Sequence, residues 1–586
     1  MLKECIRVFE TVLLKEQQKG HDLVLDSYIP SDGTYILVKP NGEMREPVDI
    51  KLNKKTREIE ISDSQYLDKI KFYDFHSQLV SMNKPIDTKK VIHSNNCYSF
   101  FVKKDSIKSG KLTDEIIDGY YEVLKDPLNK KYKKSKETSN IYSQYEEMNG
   151  AVPLSDLELN HQWIKKHIFT FDGIDLDKKE YIKIFFETEN ENLIREDKRY
   201  LLPNIYNSNE YNVVLDNEIF GIPDNNMGMN AKKPYLENKS KKVVVPYLLS
   251  GDEVIFQRLF FQYLLNLASA GKLDIYIDTV NDEIHACRPS ENPGDISGGY
   301  YLSVRKGKEL EIQYQDNIIG YHQDLIIPFE FKNIAEFKHD IHPEYSTKYC
   351  TYYTRYELGH LISEVLFSNF LENTFYINNE DISITDTLIK NSVIQSKNLI
   401  FSWIKLGVDH GFYVILKRVS LNLIRSAILN GYRERAIWQL NLKWSLDQYF
   451  AEGGNQMMTC KREIVNRVNQ KVLSLEDENW FENDDEYYYA VGQLAAYLIS
   501  LNKSKNISQS LINPFLNANK DSVIKQRLQQ LYKKYNYDIK CTNRRVKRMI
   551  SLVTEYTPTE KVNQEMVMFG YANNNVVYQK EDNRNE

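Results

Sequence analysis

Six cysteines in 586 residues, at positions 5, 97, 287, 350, 460 and 541, form no CxxC pair and keep no regular spacing. That absence argues against a zinc site or a disulfide framework, and leaves small buried hydrophobes in a reducing cytoplasm as the expected use. No GxxxxGK[ST] occurs, since Gly110-Lys111, Gly271-Lys272 and Gly307-Lys308 are followed by Leu, Leu and Glu. The phosphate-cradling loop of ATP-driven proteins is therefore missing. No GxSxG nucleophile elbow is present either. The longest uncharged run, Tyr487–Leu501, is too short to cross a bilayer. The opening "MLKECIRVFETVLLKEQQ" is interrupted by charge every few residues, which suits an amphipathic helix and not a signal peptide. These absences lead to the expectation of a cytoplasmic protein with no membrane partner and no cofactor. Positive charge is short as well: a formal net charge of −6 argues against a nucleic-acid partner unless the cations are gathered locally.

The chain is too long for one core and suits about two to four domains. From about Asp22 to Tyr345 strand-like pieces alternate with turns: "TYILVKPNGE" with Asn41-Gly42, "LDIYIDTVNDEIHA", and "YYLSVRKGKELEIQYQ" turning at Lys306-Gly307. A helix is expected from Glu253 to Ala270. After about Thr351 the pattern is helical, in segments such as "TRYELGHLISEVLFSNFLENTF" and "SVIKQRLQQLYKKYN". The expected fold class is α+β, with a mixed α/β region over residues 1–350 and an α-helical bundle over 351–586.

Local counts overturn the impression of an acidic protein. From Lys503 to Arg548 twelve Lys and Arg face only Asp521 and Asp538, while seven acids between Glu476 and Glu486 hide the excess in the total. A second run, "KDPLNKKYKKSK", holds Lys125, Lys130, Lys131, Lys133, Lys134 and Lys136 against Asp126. A third, "DNNMGMNAKKPYLENKSKK", sets five lysines against Asp224 and Glu237. One such run is ordinarily a solvated face. Three of them point to a polyanion, because each phosphate neutralised releases counterions and adds sequence-independent affinity. The run that ends at Arg548 carries Tyr532, Tyr535 and Tyr537 between its cations, which suits a single strand with stacked bases. On a helix, Arg544 stands beside Lys547 and Arg548, and Arg545 beside Arg548. In the third run, asparagine amides can read base edges where lysines anchor phosphates.

Two further features bear on alternatives. "HDIHPEYSTKYC" offers His339, Asp340, His342, Glu344 and Cys350, residue types that bind transition metals, without the spacing of a compact ligand pattern. In "YFAEGGNQMMTCKREIVNRV" the residues Gly453-Gly454-Asn455 break the helical pattern, and Thr459 is a candidate cap for a new helix. With GGA as the first glycine codon, Glu452-Gly453-Gly454 places GGAGG seven nucleotides before the ATG of Met457. An internal start there would yield a helical product of residues 457–586.

Four stretches resemble the large subunit of the type I-B CRISPR Cascade effector complex, the Cas-eight-b or Csh-one family. They are "VLDSYIPSDGTYILV", "YDFHSQLVSMNKPIDTKKVIHSNNCYSFFVK", "NMGMNAKKPYLENKSKKVVVPYLLS", and the pair "EYYYAVGQLAAYLISLNKS" and "FGYANNNVVY". The resemblance implies a non-catalytic subunit that recognises the protospacer-adjacent motif in target double-stranded DNA, helps open the strands and stabilises the displaced one. Base pairing with a guide RNA reads the rest. Implied partners are the guide RNA, the Cascade backbone and handle-end subunits, small helical subunits and a helicase-nuclease. On this reading Asn225, Asn226 and Asn230 contact the motif or guide handle, and Lys232, Lys233, Lys239, Lys241 and Lys242 anchor phosphates. Lys533, Lys534, Arg544, Arg545, Lys547 and Arg548 hold the displaced strand. The family's small subunits favour the product that starts at Met457. Paired cysteines found in some members are replaced here by "LPNIYNSNEYNVVLDN", so no zinc is expected. The alternatives are a metal-dependent nuclease using His339, Asp340 and His342, and a helical scaffold without nucleic acid.

Overall fold

The run Gly33–Val38 forms strand β1 with every residue buried, as befits a strand covered on both faces. The computed structural model in which it lies describes residues 2–53, 55–171, 174–216, 218–224, 248–289, 291–307, 310–335, 349–450, 456–474, 480–503, 509–540 and 542–579. The chain is an α+β protein that divides into two units, Met1–Pro293 with Ser297–Asn317 and Gly294–Ile296 with Ile318–Glu586.

In the first unit β1 is the middle of a five-stranded sheet. Its neighbours are β2 (Val48–Leu52), β3 (Ile59–Ile61), β4 (Ser99–Lys103) and β5 (Tyr181–Phe186), in the order β3-β2-β1-β5-β4. β1 pairs with β5 in parallel, from Gly33 opposite Tyr181 to Val38 opposite Phe186. Gly33 is required at that start, since a Cβ there would stand 2.6 Å from the Tyr181 carbonyl oxygen. The turn expected at Asn41-Gly42 is present, with Gly42 at φ +83° leading into antiparallel β2. The helices of this unit are α1 (Leu2–Gln18), α2 (Leu67–Phe75), α3 (Asp114–Lys125), α4 (Lys136–Asn149), α5 (Asn190–Asn204) and α6 (Gly251–Ser269), of which α2, α3 and α5 contribute to the core of this sheet.

Helix α1 buries Cys5, Val8, Phe9 and Leu13, a stripe of helical period, as its charge spacing predicts. It packs with α6 in a second core, which covers the sheet of β9 (Asp274–Asp278), β10 (Glu283–Cys287), β11 (Gly299–Lys306) and β12 (Leu310–Ile318). A smaller sheet joins β6 (Val213–Leu215), β7 (Glu218–Gly221) and β8 (Leu249–Ser250).

The second unit opens with the hairpin β13 (Asp324–Glu330) and β14 (Thr351–Thr354) and continues as helices. These are α7 (Arg355–Val365), α8 (Thr387–Leu406), α9 (Phe412–Leu429), α10 (Arg433–Phe450), α11 (Gln456–Leu473), α12 (Asp484–Ser500), α13 (Asp521–Tyr535), α14 (Arg544–Glu555) and α15 (Gln564–Ala572). α7 starts on a capping box of Thr354 and Glu357. The helical reading carried on to Phe375, but the helix ends at Val365, and Ser368 and Asn369 follow with positive φ. Thr459 lies inside α11, which already begins at Gln456, and so is not its cap. α12 and α15 approach at Gly492 and Gly570: a Cβ on Gly570 would stand 2.0 Å from the Tyr489 carbonyl oxygen. Cys5, Cys97 and Cys287 are buried.

A buried ion pair ties the first sheet to α2. Asp74, with no exposed surface, accepts from Lys183 Nζ at 2.5 Å and from Tyr28 Oη at 2.9 Å. Removing one partner of such a pair leaves a buried charge unmatched. Asp74→Ala should therefore destabilise the chain by about 3–5 kcal/mol, and Asp74→Leu combined with Lys183→Met should recover most of that loss. Urea unfolding of the full chain measures both.

Candidate nucleic-acid interface

Asn225, Asn226, Asn230, Lys232, Lys233, Lys239, Lys241 and Lys242 lie outside the described residues, but the foot of their segment is defined. β7 and β8 pair with Gly221 opposite Leu249, so the chain leaves and returns at one sheet edge. The Asp224 N–H donates to the Ile205 carbonyl at 2.7 Å, and its carboxylate meets Lys84 Nζ at 3.0 Å. Lys84 also donates to the carbonyls of Asn204, at 2.7 Å, and Tyr206.

The second basic run arrives at the same place. Lys131 Nζ donates to the carbonyls of Lys84, at 3.3 Å, and Pro85. It lies 5.8 Å from the centre of the Tyr132 ring and 5.9 Å from that of Tyr200. Burial, with a smaller contribution from the Lys84 charge, pushes its pKa down to about 8. Lys131 is thus a structural residue of the foot. Lys130, Lys133, Lys134 and Lys136 are exposed around it. Lys130 is held by Glu122 at 2.8 Å. Among the described residues Lys133, Lys134 and Lys136 have no ion pair, so they are the cations able to meet a phosphate.

In the second unit Asp484, Asp485 and Glu486, three of the acids that mask the basic run, are engaged in the fold, while Glu482 is exposed. Glu486 is fully buried and holds Lys471 at 2.8 Å and Arg467 at 2.7 Å. Asp484 accepts from Tyr556 Oη at 2.9 Å and the Glu560 N–H at 2.7 Å, while Asp485 accepts from Asn563 at 2.7 Å. Asp521 takes the Tyr487 hydroxyl at 2.5 Å, and Asp538 takes Lys503 at 2.5 Å. The intervening cations divide into two classes. Arg545 donates to the Val577 carbonyl, at 3.5 Å, and to that of Gln579. Arg548 lies 5.2 Å over the Trp480 ring and donates to the Lys471 carbonyl at 3.5 Å. Lys533, Lys534, Lys540, Arg544 and Lys547 are exposed and without ion pairs among the described residues. The stripe expected on α14 is therefore half anchored and half available.

Sequence alone did not single out Tyr578, which lies between Val577 and Gln579, whose carbonyls accept from Arg545. Its hydroxyl meets Ser500 Oγ at 2.9 Å, and its ring lies 5.8 Å from that of Tyr497. Tyr537, with Lys503 5.8 Å over its ring, is 73 % exposed, and Tyr578 is 62 % exposed. Exposed aromatic rings in a basic region can stack bases while cations track a phosphate backbone. His339, Asp340 and His342 lie outside the described residues, and among those described no cluster of His, Cys, Asp and Glu could hold a metal ion. No described helix is long and apolar enough to cross a membrane. Comparison of the chain with protein-family models, curated proteins and solved structures gives no match in any of the three.

With a folded pKa near 8 against 10.5 for an ordinary lysine, Lys131 binds fewer protons folded than unfolded between those values. Its penalty is complete below the lower value and is relieved as pH rises through the window. The wild-type chain should accordingly gain stability relative to Lys131→Met between pH 8 and pH 10.5, measured by urea unfolding. Polyanion affinity at neutral pH should fall for Lys133→Glu/Lys134→Glu and stay level for Lys131→Met.

Proposed function

We propose that this chain is the non-catalytic large subunit of an RNA-guided DNA surveillance complex of the type I-B Cascade kind. In this role it recognises a short motif in duplex DNA beside the target, aids strand opening, steadies the displaced strand and docks a helicase-nuclease. The observation that carries the proposal is the convergence at Lys84. There the second basic run and the foot of the asparagine- and lysine-rich segment meet, and Asn83-Lys84-Pro85 itself belongs to one of the four stretches that resemble the family. Phosphate anchors beside a segment rich in base-reading amides suit the recognition of a short duplex motif. The exposed cations Lys533, Lys534, Arg544 and Lys547 and the exposed rings of Tyr537 and Tyr578 suit the binding of a single strand.

Reversal of Lys533, Arg544 and Lys547 to Glu should weaken single-strand binding and flatten its salt dependence by about 0.7 for each phosphate that is no longer neutralised. Motif recognition in duplex DNA should be retained. Arg545→Ala and Arg548→Ala should instead lower thermal stability, because those side chains hold backbone carbonyls. Electrophoretic mobility across a salt series, with melting of each variant, separates the two groups.

We also propose the internal product that starts at Met457, comprising α11 to α15. In the full chain α15 packs on α9 and α10: Glu565 meets Lys443 at 2.7 Å, and Arg425 donates to Gln564 at 2.9 Å. A separate product would expose that surface and require a partner over it. Purification from cells through a C-terminal tag, with sequencing of bound RNA and of protein N-termini, tests both proposals. The expected result is a uniform short RNA with a constant handle and a second band that begins at Met457. Absence of bound RNA would overturn the assignment, and a lone full-length band would overturn the internal product.

A further inference from the structure

The hairpin that joins β2 to β3 carries Arg57 in a left-handed conformation, at φ +63°. The turn is fixed by its own bonds: the Asn53 N–H donates to the Glu58 carbonyl and the Arg57 N–H to the Asn53 carbonyl, both at 2.9 Å. Asn53 Oδ1 accepts from the Lys55 and Thr56 N–H groups at 2.9 and 3.2 Å. Glycine fills a left-handed position without steric cost, so a long charged side chain kept there points to a use for that side chain. Packing accounts for its stem, because the Arg57 Cγ lies 3.6 Å from where a Cβ on Gly271 would stand. The residue as a whole is exposed.

Gly271 also borders the end of β11. Ser303 pairs with Asp274, and the Val304 N–H donates to the Leu273 carbonyl at 2.9 Å, so Arg305 and Lys306 run on beside Lys272 and Gly271. Leu302 and Val304 contribute to the core that α1 and α6 form on this sheet, and the alternation of a strand puts Lys306 on that same side. Two cations from distant parts of the sequence thus meet at one glycine. Loss of part of its hydration lowers the pKa of Lys306, and the Arg57 charge lowers it further, while Asp32 acts the other way. Arg305, exposed, and Lys272, half-buried, extend the positive charge. Among the described residues none of these four side chains has an ion pair or a hydrogen bond. Against them stand Asp32, whose carboxylate accepts from the Leu52 N–H at 2.9 Å, and the exposed Glu58. Like charges brought together repel, and an anion between them turns the repulsion into attraction.

We propose that Arg57 and Lys306 bind a phosphate group, the guanidinium fork taking two of its oxygens and the ammonium a third. Lys272 and Arg305 favour a ligand with further phosphates beyond the first. The site shares no residue with the basic runs described above and does not rest on the function proposed from them. The same chemistry comes from the backbone of a nucleic-acid strand or from free phosphate, and the test separates these sources.

Isothermal titration of the full chain with inorganic phosphate, and with a short single strand of mixed sequence and hydroxyl ends, measures the site. Arg57→Gly and Lys306→Gln should each weaken binding about fivefold, the upper range for an exposed ion pair. For the strand, the salt dependence should flatten by about 0.7 for the phosphate no longer neutralised. Arg57→Gly should melt no lower than the wild type, because glycine suits the left-handed turn. Weaker binding of inorganic phosphate assigns the site to free phosphate; an effect on the strand alone assigns it to a strand backbone. Affinities and salt dependence equal to wild type in both folded variants would overturn the proposal. Short polyglutamate that competes as well as the strand would overturn it in favour of an acidic peptide. Both variants leave Lys533, Arg544 and Lys547 intact, so failure here is distinguishable from failure of the single-strand reading.

Discussion

Asp74 has no exposed surface, and its charge is tolerable only because Lys183 and Tyr28 point at it. Each partner comes from a different part of the first unit: Asp74 from α2, Lys183 from β5 and Tyr28 from the approach to β1. Lys183 also lies 4.8 Å over Phe101 on β4 and 5.4 Å over Tyr35 on β1. One cation therefore sets the register of a helix against three neighbouring strands. The consequence runs on past the end of α2. His76 meets Asp197 of α5 at 3.0 Å, Asn95 donates to the same carboxylate at 2.8 Å, and Tyr200 donates to the Lys84 carbonyl at 2.8 Å. Lys84 in turn holds Asp224. The foot of the asparagine-rich segment is thus placed by bonds that begin at the ion pair.

Charge in the second unit is arranged by a different constraint. The acids at the start of α12 serve the fold: Glu486 neutralises two cations of α11, and Asp484 and Asp485 secure the chain that leads into α15. With these acids engaged, Lys533 and Lys534 of α13 and Arg544 and Lys547 of α14 stand exposed and without ion pairs among the described residues. A field of this kind depends on which side chains face solvent, and net charge does not report it.

Among the described residues, the stretches that resemble the Cascade large subunit supply contacts that hold the fold. Tyr28 and Asp74 are bonded to each other, and Gly492 and Gly570 let α12 and α15 approach at backbone distance. Asn573, from "FGYANNNVVY", donates to Tyr489 Oη at 3.0 Å. Such residues carry fold information, because small or specifically bonded side chains at a close approach have few substitutes. The segment richest in asparagine and lysine, 225–242, lies outside the described residues.

Helix α1, the strands in "TYILVKPNGE", "LDIYIDTVNDEIHA" and "YYLSVRKGKELEIQYQ" and the turn at Asn41-Gly42 were legible in the sequence, because each depends on neighbours within a few residues. The premature end of α7 was not legible, since apolar spacing continues past Val365 while the backbone at Ser368 and Asn369 turns to positive φ. The basic runs could also be counted directly. What the sequence did not reveal is which cations remain available. Lys131 is occupied by a carbonyl 46 residues away, and Arg545 by one 34 residues away, while Lys133 and Arg544 beside them face solvent. The composition of a run is local, but the partner that removes a cation from it is brought by the fold.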